Sequence, residues 1–216
     1  MPVDRVIDAA LELIDDVGVV EFTMRLLAQR LNSSTATLYR HFAGKDEIFV
    51  LVVDQVLGEV PRHIRETATG TTWKELLLAG ADAFFQTLKE HPNTVPLFAH
   101  QVPLGPNGLA GREAAIDILL SNGFTPEVAA RTYTAVAHYV IGLAGQLSAR
   151  SDTGTDEDQD IRNFYHALDP TRYGATVTSA SYLPSSLDHE FQFGLHLIID
   201  GLAMRLSHPV HRPLEK

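Results

Sequence analysis

Apolar residues recur every three or four positions along most of the chain, which is the spacing of one face of an α-helix. Between residues 3 and 17 the remaining positions are mostly acidic and form an opposite, polar face. Gly18 follows the last apolar position, where a left-handed residue commonly ends a helix. The strict alternation of a half-buried strand is absent, so the sequence predicts an all-α protein.

Two short helices with a tight turn between them are predicted within residues 23–45. Thr23 and Ser34 occupy the N-cap positions, where a side-chain oxygen accepts a backbone N–H at the start of a helix. Asn32 lies between the two helices and tolerates the left-handed backbone of a sharp turn. This order predicts a helix-turn-helix, whose second helix enters the major groove of DNA.

The remaining chain predicts a second helical region. Apolar positions continue from residue 46 to Pro61, where we expect the helix to end because proline cannot continue it. Residues 66–72 are rich in threonine and glycine, and we divide the chain near them into domains at 1–62 and 63–216. Further helices are predicted at residues 73–91, 94–101, 109–122, 126–150 and 187–207. We expect a mobile acidic loop at 151–160, one or two helical turns at 161–168, and no regular structure at 169–186.

Charge is distributed unevenly along the chain. The formal net charge is −10, yet residues 23–45 hold four basic side chains and no acidic one. A basic island on an acidic body favours docking to DNA through one small surface. Cysteine is absent, which excludes disulfides and thiolate metal sites. We expect no signal peptide and no membrane span, and therefore a soluble cytoplasmic protein.

Two motifs carry a family resemblance: TxRxLAxxL begins at Thr23 and TLYxHFxxKD begins at Thr37. In these motifs the chain resembles the TetR family of bacterial transcription regulators. Trp73, the run 123–125 and the last helix resemble the tetracycline-repressor subgroup. The resemblance implies nine or ten helices, with an N-terminal three-helix DNA-binding domain and a C-terminal helical bundle for ligand binding and dimerisation. It also implies a homodimer that binds a palindromic double-stranded DNA operator.

The resemblance also assigns DNA contacts. Arg25 would reach a base or a phosphate, whereas Thr35, Ala36 and Tyr39 would approach bases, because small side chains let the backbone come close to base edges. A buried role is the alternative for Tyr39 and for His41. The turn departs from the family pattern because Asn32 and Ser33 replace a glycine and an apolar residue. The predicted DNA-binding set is Thr23, Arg25, Ser34, Thr35, Ala36, Thr37, Tyr39, Arg40, His41 and Lys45.

A DNA switch needs a second site whose ligand distinguishes two states, and helical bundles hold apolar pockets between helices. For each candidate lining residue the alternative is an ordinary core position. Where a tetracycline–magnesium repressor is expected to carry Asn, His and Gln, this chain has Gly80, Phe98 and Ala115. We therefore expect a small apolar or aromatic effector, with no metal and no cofactor. The candidate pocket residues are His63, Phe84, Phe98, His100, Gln101, Tyr133, His138 and Tyr139.

The helices at 126–150 and 187–207 are predicted to form the dimer. Glycines would let them approach closely, and an apolar face would be buried in a four-helix bundle with the partner chain. The alternative is that this apolar face packs within the chain. The predicted interface consists of Gly142, Gly145, Leu195, Ile198, Ile199, Leu202 and Leu206, with Gly194 and Gly201 also permitting close approach.

The predicted function is that of a repressor released from DNA by a small molecule. An activator with the same fold is one alternative, and a helical-bundle small-molecule-binding protein or enzyme without a role on DNA is another. An enzyme would need a convergent nucleophile, base and orienting group. The sequence has no nucleophile elbow, phosphate loop or HExxH motif.

Overall fold

The computed structural model describes residues 1–67, 71–147 and 154–207, and within these ranges all regular structure is helical. The predicted all-α class is therefore confirmed. The first five helices are α1 (Val3–Glu21), α2 (Met24–Arg30), α3 (Thr35–Tyr39), α4 (Lys45–Leu57) and α5 (Val60–Thr67). They are followed by α6 (Trp73–Glu90), α7 (Val95–His100), α8 (Pro106–Ser121), α9 (Pro126–Ala144), α10 (Gly154–His166), α11 (Pro170–Ser179) and α12 (Leu187–Ser207). Short 3-10 helices cover Pro92–Thr94 and Ala180–Tyr182.

The N-terminal core forms around α1. Val6, Ala10 and Ile14 recur at four-residue steps and have no exposed surface, as the apolar pattern predicts. Leu27 of α2 and Leu38 of α3 are equally buried, so both short helices are held against the same core. The chain passes through Gly18 with a φ of 77° and a ψ of 167°, so a kink interrupts the helical backbone of α1 at the position where the sequence predicts a helix end. A short helical piece follows the kink and reaches Glu21.

Three helices meet in the core of the C-terminal part. Phe85 of α6 stacks on Phe191 of α12, with ring centroids 4.1 Å apart and planes 6° from parallel. Tyr139 of α9 lies beside the same ring, with centroids 5.9 Å apart. Its hydroxyl donates to backbone carbonyls of α12. A Cβ on Gly194 would lie 2.4 Å from that hydroxyl oxygen, so only glycine allows this approach.

The described residues form twelve α-helices instead of the nine or ten predicted. Pro61 lies in the first turn of α5, where its missing N–H is not needed, so a helix starts where we expected one to end. The predicted domain boundary after residue 62 falls inside α5 and stays a prediction. No helix in the described ranges is long and apolar enough to span a membrane.

The other differences lie between α9 and α12. The mobile loop predicted at 151–160 is wrong from residue 154 onward, because α10 begins there. The irregular structure predicted at 169–186 is wrong for 170–179, which form α11. Asp169 caps this helix by accepting the N–H of Thr171 at 2.8 Å, and Pro170 takes its first position. Aspartate followed by proline is a signal for the start of a helix. The prediction of irregular structure instead followed the high content of serine, threonine, proline and glycine in this segment.

Candidate DNA-binding surface and effector domain

Side-chain caps and a left-handed residue build the turn between α2 and α3. Thr23 accepts the N–H of Leu26 at 3.2 Å, and Ser34 accepts the N–H of Thr37 at 3.2 Å. Asn32 has a φ of 49°, which a β-branched residue would adopt only with strain. These observations confirm the predicted caps and turn residue. Ser33, half-buried, donates its backbone N–H to the carbonyl of Ala28 at 2.9 Å.

Most of the predicted DNA-binding side chains are accessible. Eight of the ten are exposed, and the other two, Thr35 and Thr37, are half-buried. Tyr39 is 57% exposed, and His41 is exposed as well, so the alternative buried roles do not apply to either residue. Accessibility is a condition for contacting DNA, and the individual contacts stay predictions.

The four basic residues of the helix-turn-helix have different partners. Arg30 pairs with Asp16 and with Glu12 of α1, so its charge is compensated. Arg25, Arg40 and Lys45 form no ion pair with any carboxylate in the described residues. Instead, Arg40 donates to the Thr37 hydroxyl at 3.3 Å, and the Lys45 ammonium lies 5.8 Å from the centre of the Phe49 ring.

Phe84, Phe98 and Tyr133 lie at contacts between helices in the C-terminal part of the chain, the described residues of 71–207, which we call the effector domain. Phe84 of α6 and Phe98 of α7 pack with ring centroids 5.7 Å apart. Tyr133 of α9 faces the guanidinium of Arg112 of α8, 5.6 Å from the ring centre. Arg112 also donates to the carbonyl of Pro103 at 3.2 Å and has no carboxylate partner among the described residues. This half-buried cation was not among the residues predicted from the sequence.

Tyr139 and His138, two of the predicted pocket residues, have different surroundings, and their role in a pocket stays a prediction. The Tyr139 hydroxyl donates to the carbonyls of Glu190 at 2.8 Å and Phe191 at 3.0 Å, so it is used in packing α9 against α12. Burial raises the pKa of Tyr139, and the negative charge of Glu190 adds to this. His138 is exposed on α9 and lines an open depression of about 430 Å³ on the surface of that helix. Of the others, Gln101 is half-buried after α7, and the side chain of His100 lies outside the described residues.

His63 is buried at the contact of α5 with α6, with its Nε2 3.3 Å from a carboxylate oxygen of Glu90. It therefore belongs to a junction between helices, where its ring already has a partner.

An apolar cleft of about 220 Å³ lies between α7 and the C-terminal end of α9. It is smaller than typical small-molecule sites of about 300–1,000 Å³. An effector that entered between these helices would therefore have to widen the space. The cleft is lined by Val95, Pro96, Ala99, Ile141, Gly142 and Gly145.

α12 has two apolar faces, and the predicted dimer interface combined them. The prediction is wrong for the three interface residues that are buried within the chain, Leu195, Ile199 and Leu202. Gly194 is likewise occupied, by Tyr139 of the same chain. The opposite face exposes Phe193 by 70%, Leu197 by 60% and Met204 by 69%. Half-buried Ile198 and exposed Gly142, Gly145 and Leu206 remain candidates for the interface.

A buried carboxylate joins α4 to α8. Asp54 is 8% exposed and accepts the N–H of Gly108 at 2.9 Å and the side-chain amide of Asn107 at 3.2 Å. It therefore caps α8, whose own N-cap residue, Gly105, has no side chain to do so. In the sequence, Asp54 is marked by its position, because it interrupts the apolar run of α4.

A second polar contact joins α1 to the end of α6. His91 lies between Asp15 and Glu59, and Arg62 lies between Glu59 and Glu90. We call Asp15, Glu59, Arg62, Glu90 and His91 the junction cluster. Ligand atoms of Glu59, Glu90 and His91 all lie within 4.8 Å of one another, as in a metal site. Because the guanidinium of Arg62 already pairs with both glutamates, we interpret the cluster as a network of ion pairs.

A helix-turn-helix with basic side chains that have no carboxylate partner, joined by polar contacts to a larger helical domain, is the architecture of a DNA-binding transcription regulator. The sequence profile of the bacterial regulatory proteins, tetR family, matches residues 6–52. The profile of the tetracyclin repressor-like C-terminal domain matches residues 66–206. The chain therefore belongs to the TetR family of transcription regulators.

Relatives and solved structures extend the similarity over most of the chain. An HTH-type transcriptional regulator of Saccharopolyspora erythraea is 34% identical over 139 residues, which cover 64% of this chain and 58% of that protein. The class G tetracycline repressor of Vibrio anguillarum is 30% identical over 91% of this chain and 90% of its own. ActR of Streptomyces coelicolor, whose crystal structure in complex with actinorhodin is known, is 29% identical to this chain in sequence. The two structures match with a TM-score of 0.83, and the match covers 94% of this chain and 97% of the ActR chain.

Proposed function

We propose that this protein represses transcription as a homodimer that binds a palindromic operator and is released by a small-molecule effector. The observation that carries the proposal is the set of three uncompensated basic side chains, Arg25, Arg40 and Lys45, in a chain of net charge −10. DNA phosphates attract such a surface and repel the acidic remainder. The role is regulatory rather than enzymatic, and the protein acts in the cytoplasm, where the DNA is.

In this proposal α3 enters the major groove. The exposed side chains of Ala36 and Tyr39 then approach bases, and Arg25 and Lys45 bind phosphates on either side. Thr37 has a different task, because its hydroxyl already bonds to Ser34 at 3.0 Å and to Arg40. In this role the Thr37 hydroxyl orients the Arg40 guanidinium, and Arg40 is the residue that contacts DNA.

Two copies of the chain would present two recognition helices to a two-fold symmetric site. Half-sites one turn of DNA apart require a spacing of about 34 Å between the helices. The exposed face of α12, formed by Phe193, Leu197 and Met204, supports the dimer. Contiguous apolar surface exposed to water commonly marks a site of contact with another protein. Its burial against the same stripe of a second copy would give an isologous interface.

The effector in this proposal is small and apolar or aromatic, and it enters between α6, α7, α8 and α9. Phe84 and Phe98 supply aromatic surface, and Arg112 beside Tyr133 supplies a cation that could bind an acidic group. Relatives of this chain are described as tetracycline repressors, and ActR is described in complex with actinorhodin. Polycyclic aromatic compounds are therefore the first class to test.

Selection from a random DNA pool tests DNA recognition. We expect enrichment of a palindromic sequence. Lys45→Ala should weaken binding to operator and random DNA by the same factor, with a salt slope lower by about one. Tyr39→Ala should instead change the preferred sequence. Arg172→Ala, an exposed basic residue of α11, is the control and should bind as the wild type does. If the pool yields no enriched sequence, or if neither variant alters binding, the proposal is wrong.

Sedimentation velocity tests the dimer separately. Leu197→Asp places a charge on the exposed face of α12 and should give monomers at micromolar concentration, because burying an unpaired charge is costly. Leu120→Asp changes an apolar residue of α8 that is 41% exposed, and this variant should remain dimeric. Dimers of Leu197→Asp as stable as those of the wild type would exclude this face as the interface.

A further inference from the structure

His91 connects the helix-turn-helix unit to the effector domain through two hydrogen bonds. Its Nδ1 lies 2.7 Å from a carboxylate oxygen of Asp15 in α1, and its Nε2 lies 3.3 Å from one of Glu59, between α4 and α5. His91 is the C-cap residue of α6, so its ring lies at the end of that helix. One imidazole therefore holds together three parts of the chain that are far apart in sequence.

Both ring nitrogens face acceptors, and this determines the protonation state that the contact needs. A neutral imidazole has one N–H and one lone pair, so it can donate to only one of two carboxylates. If Asp15 receives the N–H, the lone pair on Nε2 faces the negative charge of Glu59. Only the imidazolium donates in both directions, and the two bonds are then charge-assisted.

We propose that His91 is a proton-dependent latch, which as imidazolium fixes α1 and Glu59 against the end of α6 and as neutral imidazole releases Glu59. When the latch is closed, the helix-turn-helix has a fixed orientation on the effector domain. When it opens, that orientation varies, and binding an operator must first restore it. Operator affinity therefore falls as pH rises. This consequence rests on the proposed function, whereas the latch itself does not.

The other charged groups around His91 increase the demand for a positive charge. Asp15 faces it from α1, Glu59 from the connection of α4 to α5, and Glu90 from α6 itself. Arg62 of α5 offsets part of this charge by pairing with Glu59 at 3.7 Å and with Glu90. His63 of α5 lies on the far side of Glu90, with its Nε2 3.3 Å from the carboxylate.

Packing around the latch explains why its effect reaches α1. Asn93 follows His91 closely and donates its side-chain amide to the backbone carbonyl of Asp15 at 2.8 Å. The 3-10 helix at Pro92–Thr94 packs along α1. The side chain of His91 is only 16% exposed, so water can replace the lost bond to Glu59 only by entering the contact. The end of α1 is thus held by a small set of polar bonds, and the bond from His91 to Asp15 loses its charge assistance when the imidazolium gives up its proton.

The direction of the pH effect follows from the surroundings of the ring. The hydrogen bond to Asp15 raises the pKa of His91 above its ordinary value of 6.5, burial opposes this, and the charges of Asp15 and Glu59 add to it. A pKa that is higher in the folded protein stabilises the fold below the unfolded value. That contribution is complete below pH 6.5 and is lost as pH rises through the folded pKa.

Hydrogen exchange and calorimetry of the full chain between pH 6 and pH 8.5 test the latch. His91→Gln can donate only one bond of this kind, so the stability difference between wild type and variant should be largest at pH 6 and should shrink as pH rises. In the wild type the amides around Glu59, which the neutral imidazole releases, should lose protection over the same range, beyond the intrinsic pH effect. Asp15→Asn should shift the midpoint of this change to lower pH, which a purely steric role of the ring would not do.

His189→Gln replaces an exposed histidine of α12 and serves as the control, with a stability difference that does not vary with pH in this way. Parallel pH profiles of wild type and His91→Gln, or a His91 imidazole that titrates at or below 6.5 by NMR, would overturn the latch.

For operator DNA we expect the wild type to lose about fivefold in affinity from pH 6 to pH 8.5 and His91→Gln to change much less. If protection changes but affinity does not fall, the regulatory part is wrong. If no operator is bound at any pH, the proposed function fails while the structural test still decides the latch.

Discussion

Removal of the Asp54 carboxylate is the most direct test of how the two parts of the chain are held together. Asp54 belongs to α4, which begins next to the helix-turn-helix, and its partners Asn107 and Gly108 belong to the first turn of α8. The contact is polar and buried, so its loss cannot be compensated by solvent as easily as that of a surface ion pair. Asp54→Ala removes both carboxylate oxygens without adding bulk.

The expected cost follows from the groups left behind. The N–H of Gly108, 2.9 Å from the carboxylate in a buried position, would lose its acceptor, at about 1–3 kcal/mol for an unpaired buried donor. Loss of a helix N-cap costs about 0.5–2 kcal/mol, and the two estimates partly describe the same bond. We expect a total of about 2–3 kcal/mol, which for a chain of this length lowers Tm by about 4–12 °C.

Calorimetry of three variants separates the cap from general effects. Asp54→Asn keeps one acceptor oxygen for Gly108 and should lose only about 1 kcal/mol. Asp160→Ala changes an exposed aspartate of α10 and should stay within about 0.5 kcal/mol of the wild type. If Asp54→Ala were as stable as Asp54→Asn, the carboxylate would not be the cap of α8, and our account of the α4–α8 contact would be refuted.

Two further substitutions test single positions by thermal unfolding. Asn32→Val should destabilise by about 1–2 kcal/mol because its φ is 49°, whereas Asn32→Gly should be nearly neutral, and equal stabilities would contradict a left-handed turn. Gly194→Ala should cost about 1–3 kcal/mol through the clash of its Cβ with the Tyr139 hydroxyl, and the cost should be smaller in a Tyr139→Phe background.

The helix-turn-helix could be predicted because its signals are local. The caps Thr23 and Ser34 and the turn residue Asn32 act within four residues of their own positions, and the structure places each as expected. The side-chain exposure of Tyr39 follows from its position on α3, about 100° around the helix from buried Leu38. Sequence-based inference works well for such features because the physics that decides them is contained in a short stretch of chain.

The exposed face of α12 could not be predicted in the same way. α12 carries apolar residues around much of its circumference, so periodicity cannot distinguish the side that meets Phe85 from the side that is exposed. The structure decides this because the ring of Phe191 stacks on Phe85 and thereby turns Leu195 inward and Leu197 outward. The ion pairs of the junction cluster could not be predicted for a similar reason. Asp15 and His91 are far apart in sequence and are brought together only by the packing of α1 on the chain after α6.

The two polar junctions together make a prediction that neither makes alone. His91 holds α1, and Asp54 holds α4, while α1 and α4 pack on each other through a shared core. The helix-turn-helix is therefore attached to the effector domain at two points of one rigid body. Either contact alone still limits the rotation of the helix-turn-helix. The loss of one contact should therefore reduce operator affinity only slightly, and the loss of both should reduce it strongly.

A double-mutant cycle measures this coupling. Affinity for the selected operator is compared at pH 6 among wild type, Asp54→Ala, His91→Gln and the double variant, at a temperature where all four are folded. If the two contacts restrain the same rotation, the double variant should lose at least fivefold more affinity than the product of the single losses predicts, because only then is the orientation free. Independent losses would mean that the contacts stabilise the chain locally and do not act together on DNA binding. The helix-turn-helix would then have to be oriented by the apolar packing of α4 on α6 and α7.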